Sequence, residues 1–405
     1  MNAFSPTGLN LRSEDALLLA CATTKLEKGR SEQIRSLAGE CKDWDYVLQA
    51  AQRHGITALV SSNLDEAAPD VAPAATLEQM RQRFRSNAAR NLFLMQELVS
   101  IMRELGAAGI SVMPFKGPIL ALTAYGNVAL RQFIDLDILV QKEHLQGAGE
   151  ILVKRGYKPI ACQAGQQQTV QIEAQLGCDF VREDIKTSVE LHWSFIQVWL
   201  GFKIDLDSLW NAPDRVNVGG LSVRRMPAET ELLYLCAHGT KHQWKRLSWV
   251  VDIAEQLRSQ PDRDWDHLLT EALSGGCRRT LFLGLHLAHA LLGADIPQEV
   301  QAQIKRDESV SELAQQVYGL LFSFGSAGQQ WSNDKFHIRA KERWTDRLVY
   351  LRFLLKWTMS PSKKDKEWIS LPESLGWLYV FLRPVRIACS AVRPSTRGGV
   401  RAPSP

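Results

Sequence analysis

The chain has 405 residues, 45% hydrophobic and 23% charged. This is an ordinary globular balance with room for roughly two to three domains, and it excludes collagen-like, disordered and disulfide-framework classes. The net charge is +4, and Arg393, Arg397 and Arg401 supply three of those charges, so no global basic field directs the chain to nucleic acid.

Ser13, Asp15 and the run Leu17–Leu19 predict a helix start, and residues 12 to about 104 read as helical. Trp44, Val47, Leu48 and Ala51 recur at helical spacing up to a stop at His54-Gly55. A loop with Pro69 and Pro73 follows, then a long helix Leu77–Leu105 with Leu92, Met95, Leu98, Val99 and Met102 on its apolar face. At Gly109 the pattern changes. Ile110–Phe115 is short, branched and apolar, a strand; Lys116-Gly117-Pro118 opens a short helix to Tyr125; Phe133–Val140 is a second strand. Lys142–Arg155 reads as a helix closed by Gly156, and Tyr157–Ile160, Cys178–Arg182 and Ser188–Trp193 as further strands. Strand and helix alternate here and not in the flanks, so a small α/β unit lies between helical ones.

From Pro227 the chain turns helical again: Glu229–Trp244, Leu247–Leu257, Asp264–Leu273, Thr280–Leu292, Arg339–Trp357 and a last apolar helix Leu375–Ala391 broken at Pro384. The expected organisation is an N-terminal helical region (1–104), an α/β core (105–225), a helical domain (226–330), a C-terminal helical extension (331–392) and a disordered tail (393–405). The seven cysteines include no C-x-x-C pair and read as reduced thiols of a cytoplasmic protein. Leu18-Leu19-Ala20-Cys21 is a chance match to a lipoprotein box, because Glu14 and Asp15 stand where a basic region belongs. No run approaches the roughly 18 apolar residues needed to cross a bilayer. The last helix is read as docked on its own bundle, with contact to a membrane surface as the alternative.

The chemistry centres on Asp135-Leu136-Asp137. Strand alternation sends both carboxylates to one face. Two acids a pleat apart in an apolar strand call for a compensating cation, and a hard ion, Mg²⁺ or Mn²⁺, suits carboxylate oxygen and borrows further ligands from phosphates. The competing reading is a solvated edge pair. Lys116-Gly117 sits at a strand-to-helix turn suited to phosphate, and Arg131 is placed either to clamp a phosphate or to pair with a carboxylate. Glu190, between apolar Val189 and Leu191, shares a strand face with His192 and supplies a third acid for metal-assisted displacement. His238 and His242, an i, i+4 pair, have no H-E-x-x-H context for zinc; a polar face lining a nucleotide or acceptor cleft, or a solvated face, fits them better. Most of the twelve tryptophans, Trp44, Trp244, Trp249 and Trp357 among them, fall at core spacing.

Lys116-Gly117, Arg131, Asp135–Val140 and Val189-Glu190-Leu191-His192-Trp193 together resemble the polymerase-beta-like nucleotidyltransferase superfamily. More closely they resemble its uncharacterised bacterial nucleotidyltransferase family, with Lys-Gly in place of Gly-Ser. His238–Asp252 and Leu371-Pro372 through Arg383-Pro384 extend the likeness over Trp44–Arg386. The resemblance implies an α+β, mostly helical fold, with a small mixed sheet flanked by helical regions. It implies transfer of a nucleoside monophosphate from an NTP, ATP foremost, to an unidentified hydroxyl-bearing acceptor with release of pyrophosphate. Asp135, Asp137 and Glu190 would hold Mg²⁺ or Mn²⁺; Lys116, Gly117, Arg131, His238 and His242 would face the nucleotide. Such proteins commonly accompany polysaccharide biosynthesis. Pro118 and the single glycine depart from the usual turn, which puts the mode of phosphate binding in question. Two alternatives stand beside this one: a non-catalytic nucleotide-binding or regulatory protein, and a protein-modifying, AMPylating enzyme of toxin or antitoxin type.

Overall fold

The computed structural model describes residues 11–160, 177–194, 206–211, 214–322, 333–359, 365 and 368–392. It is an α+β protein, mostly helical, with one small mixed sheet.

Five helices open the chain: α1 (Ser13–Cys21), α2 (Lys28–Glu40), α3 (Trp44–His54), α4 (Thr57–Ala67) and α5 (Ala74–Ala107). The Asp43 carboxylate caps α3 by accepting from Tyr46 N–H at 2.9 Å, and Gly55 ends it at φ 69°, the left-handed position where glycine has no Cβ penalty. On α5, Leu94, Leu98, Ile101, Met102 and Leu105 are buried, whereas Leu92 is exposed. The expected apolar face is therefore rotated, with Leu94 and Ile101 in place of Leu92.

The sheet follows. Strands β1 (Val112–Phe115), β2 (Asp135–Val140), β3 (Lys158–Pro159), β4 (Gly177–Arg182) and β5 (Thr187–His192) lie in the order β1-β2-β5-β4-β3. Only the central β2–β5 pair is parallel. Helix α6 (Gly117–Thr123) joins β1 toward β2, and α7 (Leu145–Lys154) leads to β3. One face of the sheet buries Leu136, Ile138, Val140, Val189 and Leu191 against α5 and α7. On the other, Met113, Phe115 and Leu139 join a large core formed with the N-terminal and later helices. Because side chains alternate, Asp135, Asp137, Glu190 and His192 fall on this second face, between the sheet and the helices.

A short helix α8 (Leu206–Asn211) precedes a hairpin, β6 (Arg215–Val218) and β7 (Leu221–Arg224), which the sequence reading passed over. Its two-residue turn is Gly219-Gly220, at φ 56° and 81°, the geometry a tight hairpin needs. Then come α9 (Ala228–Lys241), α10 (Leu247–Ser259), α11 (Trp265–Gly275), α12 (Arg278–Leu292), α13 (Gln298–Arg306) and α14 (Glu308–Phe322). Helix α9 stops at Lys241, three residues before the expected end at Trp244. Gln243 and Trp244 adopt φ 54° and 53°, and the turn sends Trp244 inward. Its ring lies so close to Gly239 that a Cβ there would meet it at 2.5 Å.

The expected helix Arg339–Trp357 is two helices, α15 (Asn333–Ala340) and α16 (Trp344–Met359). The last helix, α17 (Tyr379–Val392), runs through Pro384 rather than breaking there. Cys178 is disulfide-bonded, and Cys21, Cys41, Cys236 and Cys277 are free. This corrects the all-thiol reading: an odd cysteine count leaves one sulfur over but does not exclude a bridge. The tail 393–405 lies outside the described residues. Among the described residues, no helix is long and apolar enough to cross a membrane.

Candidate active site

The register of the sheet assembles the site. In the parallel β2–β5 ladder Asp137 stands opposite Glu190 and Leu139 opposite His192, while Phe115 of β1 flanks Asp137 on the other side. The His192 imidazole lies between the two carboxylates, with Nε2 at 3.2 Å from Asp137 Oδ1 and 3.3 Å from Glu190 Oε2. A carboxylate oxygen of each acid and a ring nitrogen of His192 all lie within 4.8 Å of one another. Two carboxylate oxygens and one imidazole nitrogen form a donor set that can take a divalent cation: the oxygens suit Mn²⁺ or Mg²⁺, and the nitrogen favours a transition ion over Mg²⁺. The buried Nδ1 of His192 has no hydrogen-bond partner among the described residues. Asp135 lies outside this set of three, one pleat along β2.

The Lys-Gly turn is wound tightly over the cluster. Lys116 has φ 52° and ψ −142°, and Gly117 has φ 35°. A Cβ on Gly117 would sit 3.4 Å from the backbone oxygen of Asp135, an ordinary contact, so it is the backbone angle that favours glycine. For Lys116 the conformation costs on the order of 1–3 kcal/mol. It directs the side chain so that Nζ pairs with Asp137 Oδ1 at 2.6 Å, with the Phe115 and Tyr234 rings 5.4 and 5.8 Å away. Pro118 falls in the first turn of α6, where a missing N–H costs little.

These contacts set the charges. Burial raises the Asp135 carboxyl, and Asp137 and Glu190 raise it further, to about 6, against the pull of Lys116. Burial also works against ionised Asp137, but Lys116 and His192 outweigh it, and this acid lies below the usual carboxylate range. Burial disfavours the charged forms of Lys116 and His192; the carboxylates reverse that and raise both. Asp179 of β4, opposite Glu190 in register, is raised by burial and by Glu190.

The acid face opens into a cleft of about 1050 Å³ between the sheet, α9, α10 and α15, at the upper end for small-molecule sites. Its lining holds Asp135 and Asp137 with Arg53, Lys116, Arg131, Lys241, Lys245 and Arg246. With Lys116 set against Asp137 and Arg131 against Asp252, cations still outnumber acids in the lining, a field that draws in a polyanion. Arg131 lines the cleft, but its guanidinium is held two-pronged by buried Asp252, at 2.8 and 2.9 Å, and Tyr125 donates to the same carboxylate at 2.6 Å. Of the two placements open to Arg131, the structure shows the carboxylate pair.

His238 and His242 line the cleft beside Trp249. The two rings are 4.8 Å apart, and His242 stacks on the indole at 5.0 Å. Burial, reinforced by Lys116 and Lys241, holds His238 well below its ordinary value and His242 at about 4, so both are neutral near pH 7. Neither joins a metal-capable cluster among the described residues. Sequence reasoning placed Lys241 on the His238–His242 stripe, read Trp249 as a packing residue and passed over Asp179. It placed His192 on the Glu190 face without assigning it a role, and period-two alternation was the signal available.

Acidic side chains on adjacent strands, Asp137 among them at the base of a basic cleft, suit chemistry on a charged phosphate substrate. The chain belongs to the uncharacterised nucleotidyltransferase family, whose sequence profile matches residues 40–293, and it is a transferase of phosphorus-containing groups. The match takes in every residue of the cluster and of the Lys-Gly turn, and it ends before Leu371–Pro384. No curated protein and no solved structure matches the chain.

Proposed function

We propose that the protein transfers a nucleoside monophosphate from an NTP to a hydroxyl-bearing acceptor, releasing pyrophosphate, with Mg²⁺ or Mn²⁺. The observation that carries this reading is the convergence of Glu190 and His192 on Asp137, which with Asp135 lines the basic cleft. The bound ion would neutralise phosphate charge and lower the barrier to in-line displacement. Asp137, Glu190 and His192 would hold the ion, and Asp135, one pleat away on the same face, would shape the acidic floor toward the attacking hydroxyl. Lys116 neutralises Asp137 in the free protein and would be available to phosphate oxygens if a metal took over that charge. Gly117 lets the backbone approach. Lys241, Lys245 and Arg246 hold phosphate oxygens, and the neutral His238–His242–Trp249 wall offers a flat surface to a nucleobase. Arg131 positions the cleft wall through Asp252.

The test uses α-labelled ATP, GTP, CTP and UTP with Mn²⁺ or Mg²⁺ and fractionated bacterial extract as the source of acceptor. Label transferred to an extract component, with pyrophosphate released and both lost in Asp137→Ala, supports the reading. Metal-dependent nucleotide binding without transfer to any fraction refutes it in favour of a binding protein, and label on a protein band identifies a protein acceptor.

A further inference from the structure

Charge is unevenly distributed along this chain. Residues 343–405 carry twelve Lys and Arg against four Asp and Glu, a net +8, which leaves −4 for residues 1–342. The same region concentrates exposed apolar surface. Among the described residues, nine of the fifteen large hydrophobic side chains left in solvent lie between Trp344 and Val385.

On α16 these side chains form a stripe. Trp344, Leu348, Leu351 and Leu355 are 46–70% exposed, and at 3.6 residues per turn they fall within about 60° of one another. Arg347 borders the stripe on one side and Arg352 and Lys356 on the other. Helix α17, packed against α16, adds exposed Phe381 and Val385. An apolar stripe left this exposed among the described residues, edged by long basic side chains, fits a helix lying in a membrane interface. The rings and aliphatic groups enter the acyl boundary while the cations reach the headgroups.

We infer that the α16–α17 face docks on an anionic phospholipid surface. The apolar stripe supplies the depth, and Arg347, Arg352 and Lys356 beside it supply the attraction. A protein partner with an apolar groove would satisfy the stripe but has no need of a cationic region of this size, and charge complementarity favours the lipid. The inference moves membrane contact from the last helix, where the sequence suggested it, to α16. It is independent of the transfer reaction: either stands if the other fails.

The full chain is sedimented with vesicles of phosphatidylcholine alone and of phosphatidylcholine with phosphatidylglycerol. The expected result is binding to the mixed vesicles, at least tenfold weaker binding to the neutral ones, and release by salt. Arg352→Gln with Lys356→Gln lowers binding roughly thirty-fold, and Leu348→Glu with Leu355→Glu abolishes it. Both pairs are exposed, so circular dichroism should match wild type. Val153→Glu, an equally exposed apolar position on α7, leaves binding unchanged. No sedimentation with either vesicle, or equal sedimentation with both, overturns the inference. Self-association in light scattering that the Leu348→Glu, Leu355→Glu pair disperses would also overturn it and make the stripe an interface between copies.

Discussion

Replacing Lys116 by Met keeps the stem of the side chain and removes its charge. In the free protein Lys116 Nζ lies 2.6 Å from Asp137 Oδ1, with side chains only 14% and 1% exposed. At an effective dielectric of about 20 that separation is worth roughly 6 kcal/mol. The loss is smaller than this, because His192 remains at 3.2 Å and Asp137 can take up a proton. A destabilisation of about 3 kcal/mol is expected, at the low end for stripping one partner from a buried ion pair. A divalent ion placed on Asp137, Glu190 and His192 restores the missing charge, so Mn²⁺ should stabilise the variant more than it stabilises the wild type. Each tenfold gain in affinity adds about 1.4 kcal/mol. Thermal unfolding in EDTA and over a Mn²⁺ titration measures both effects. A variant as stable as wild type in EDTA, or equal stabilisation of both proteins by Mn²⁺, would refute the idea that Lys116 stands in for the metal.

Three further outcomes are expected. Asp137→Asn and Glu190→Gln should each lower turnover by about 10²-fold or more and weaken Mn²⁺ binding in titration calorimetry, whereas Asp179→Asn, outside the donor set, should retain binding. Arg131→Ala strands the buried Asp252 carboxylate and should cost about 3–5 kcal/mol in urea unfolding; adding Asp252→Asn should recover much of that, and failure to recover would mean Arg131 acts through other contacts. His242, held at about 4 in the folded state against an ordinary 6.5, takes up its proton first in the unfolded chain. Its contribution is present at neutral pH and is lost as pH falls from about 6.5 toward 4. Between neutral pH and about pH 5 the wild type should therefore lose about 1 kcal/mol more than His242→Gln, allowing for the partial exposure of the ring; parallel pH profiles would contradict the shift.

The acid pair was legible because its signal is local. Asp135 and Asp137 alternate with Leu136 and Ile138, and Glu190 alternates with Val189 and Leu191, so the strands and their polar faces follow from period two alone. What period two does not encode is register. That Asp137 rather than Asp135 stands opposite Glu190, and that His192 reaches both acids, depends on a parallel pairing between segments more than fifty residues apart in the chain. Arg131 illustrates the same limit: its partner Asp252 lies 121 residues on. The basic lining is likewise a meeting of α3, α9 and α10 with the sheet. Local patterning also missed where chain direction changes for the sake of packing. Trp244 ends α9 early because its indole fills the space left open by Gly239, a tertiary demand that overrides helical periodicity. The Gly219-Gly220 hairpin, by contrast, carried its signature in the sequence.

The most direct test is the position of the ion itself. Anomalous scattering from crystals grown with Mn²⁺ and a non-hydrolysable NTP should show manganese bound by Asp137, Glu190 and His192, with Lys116 turned from Asp137 to the phosphates. Manganese bound elsewhere, or nucleotide seated in the cleft with Lys116 still on Asp137 and no ion beside it, would contradict the account.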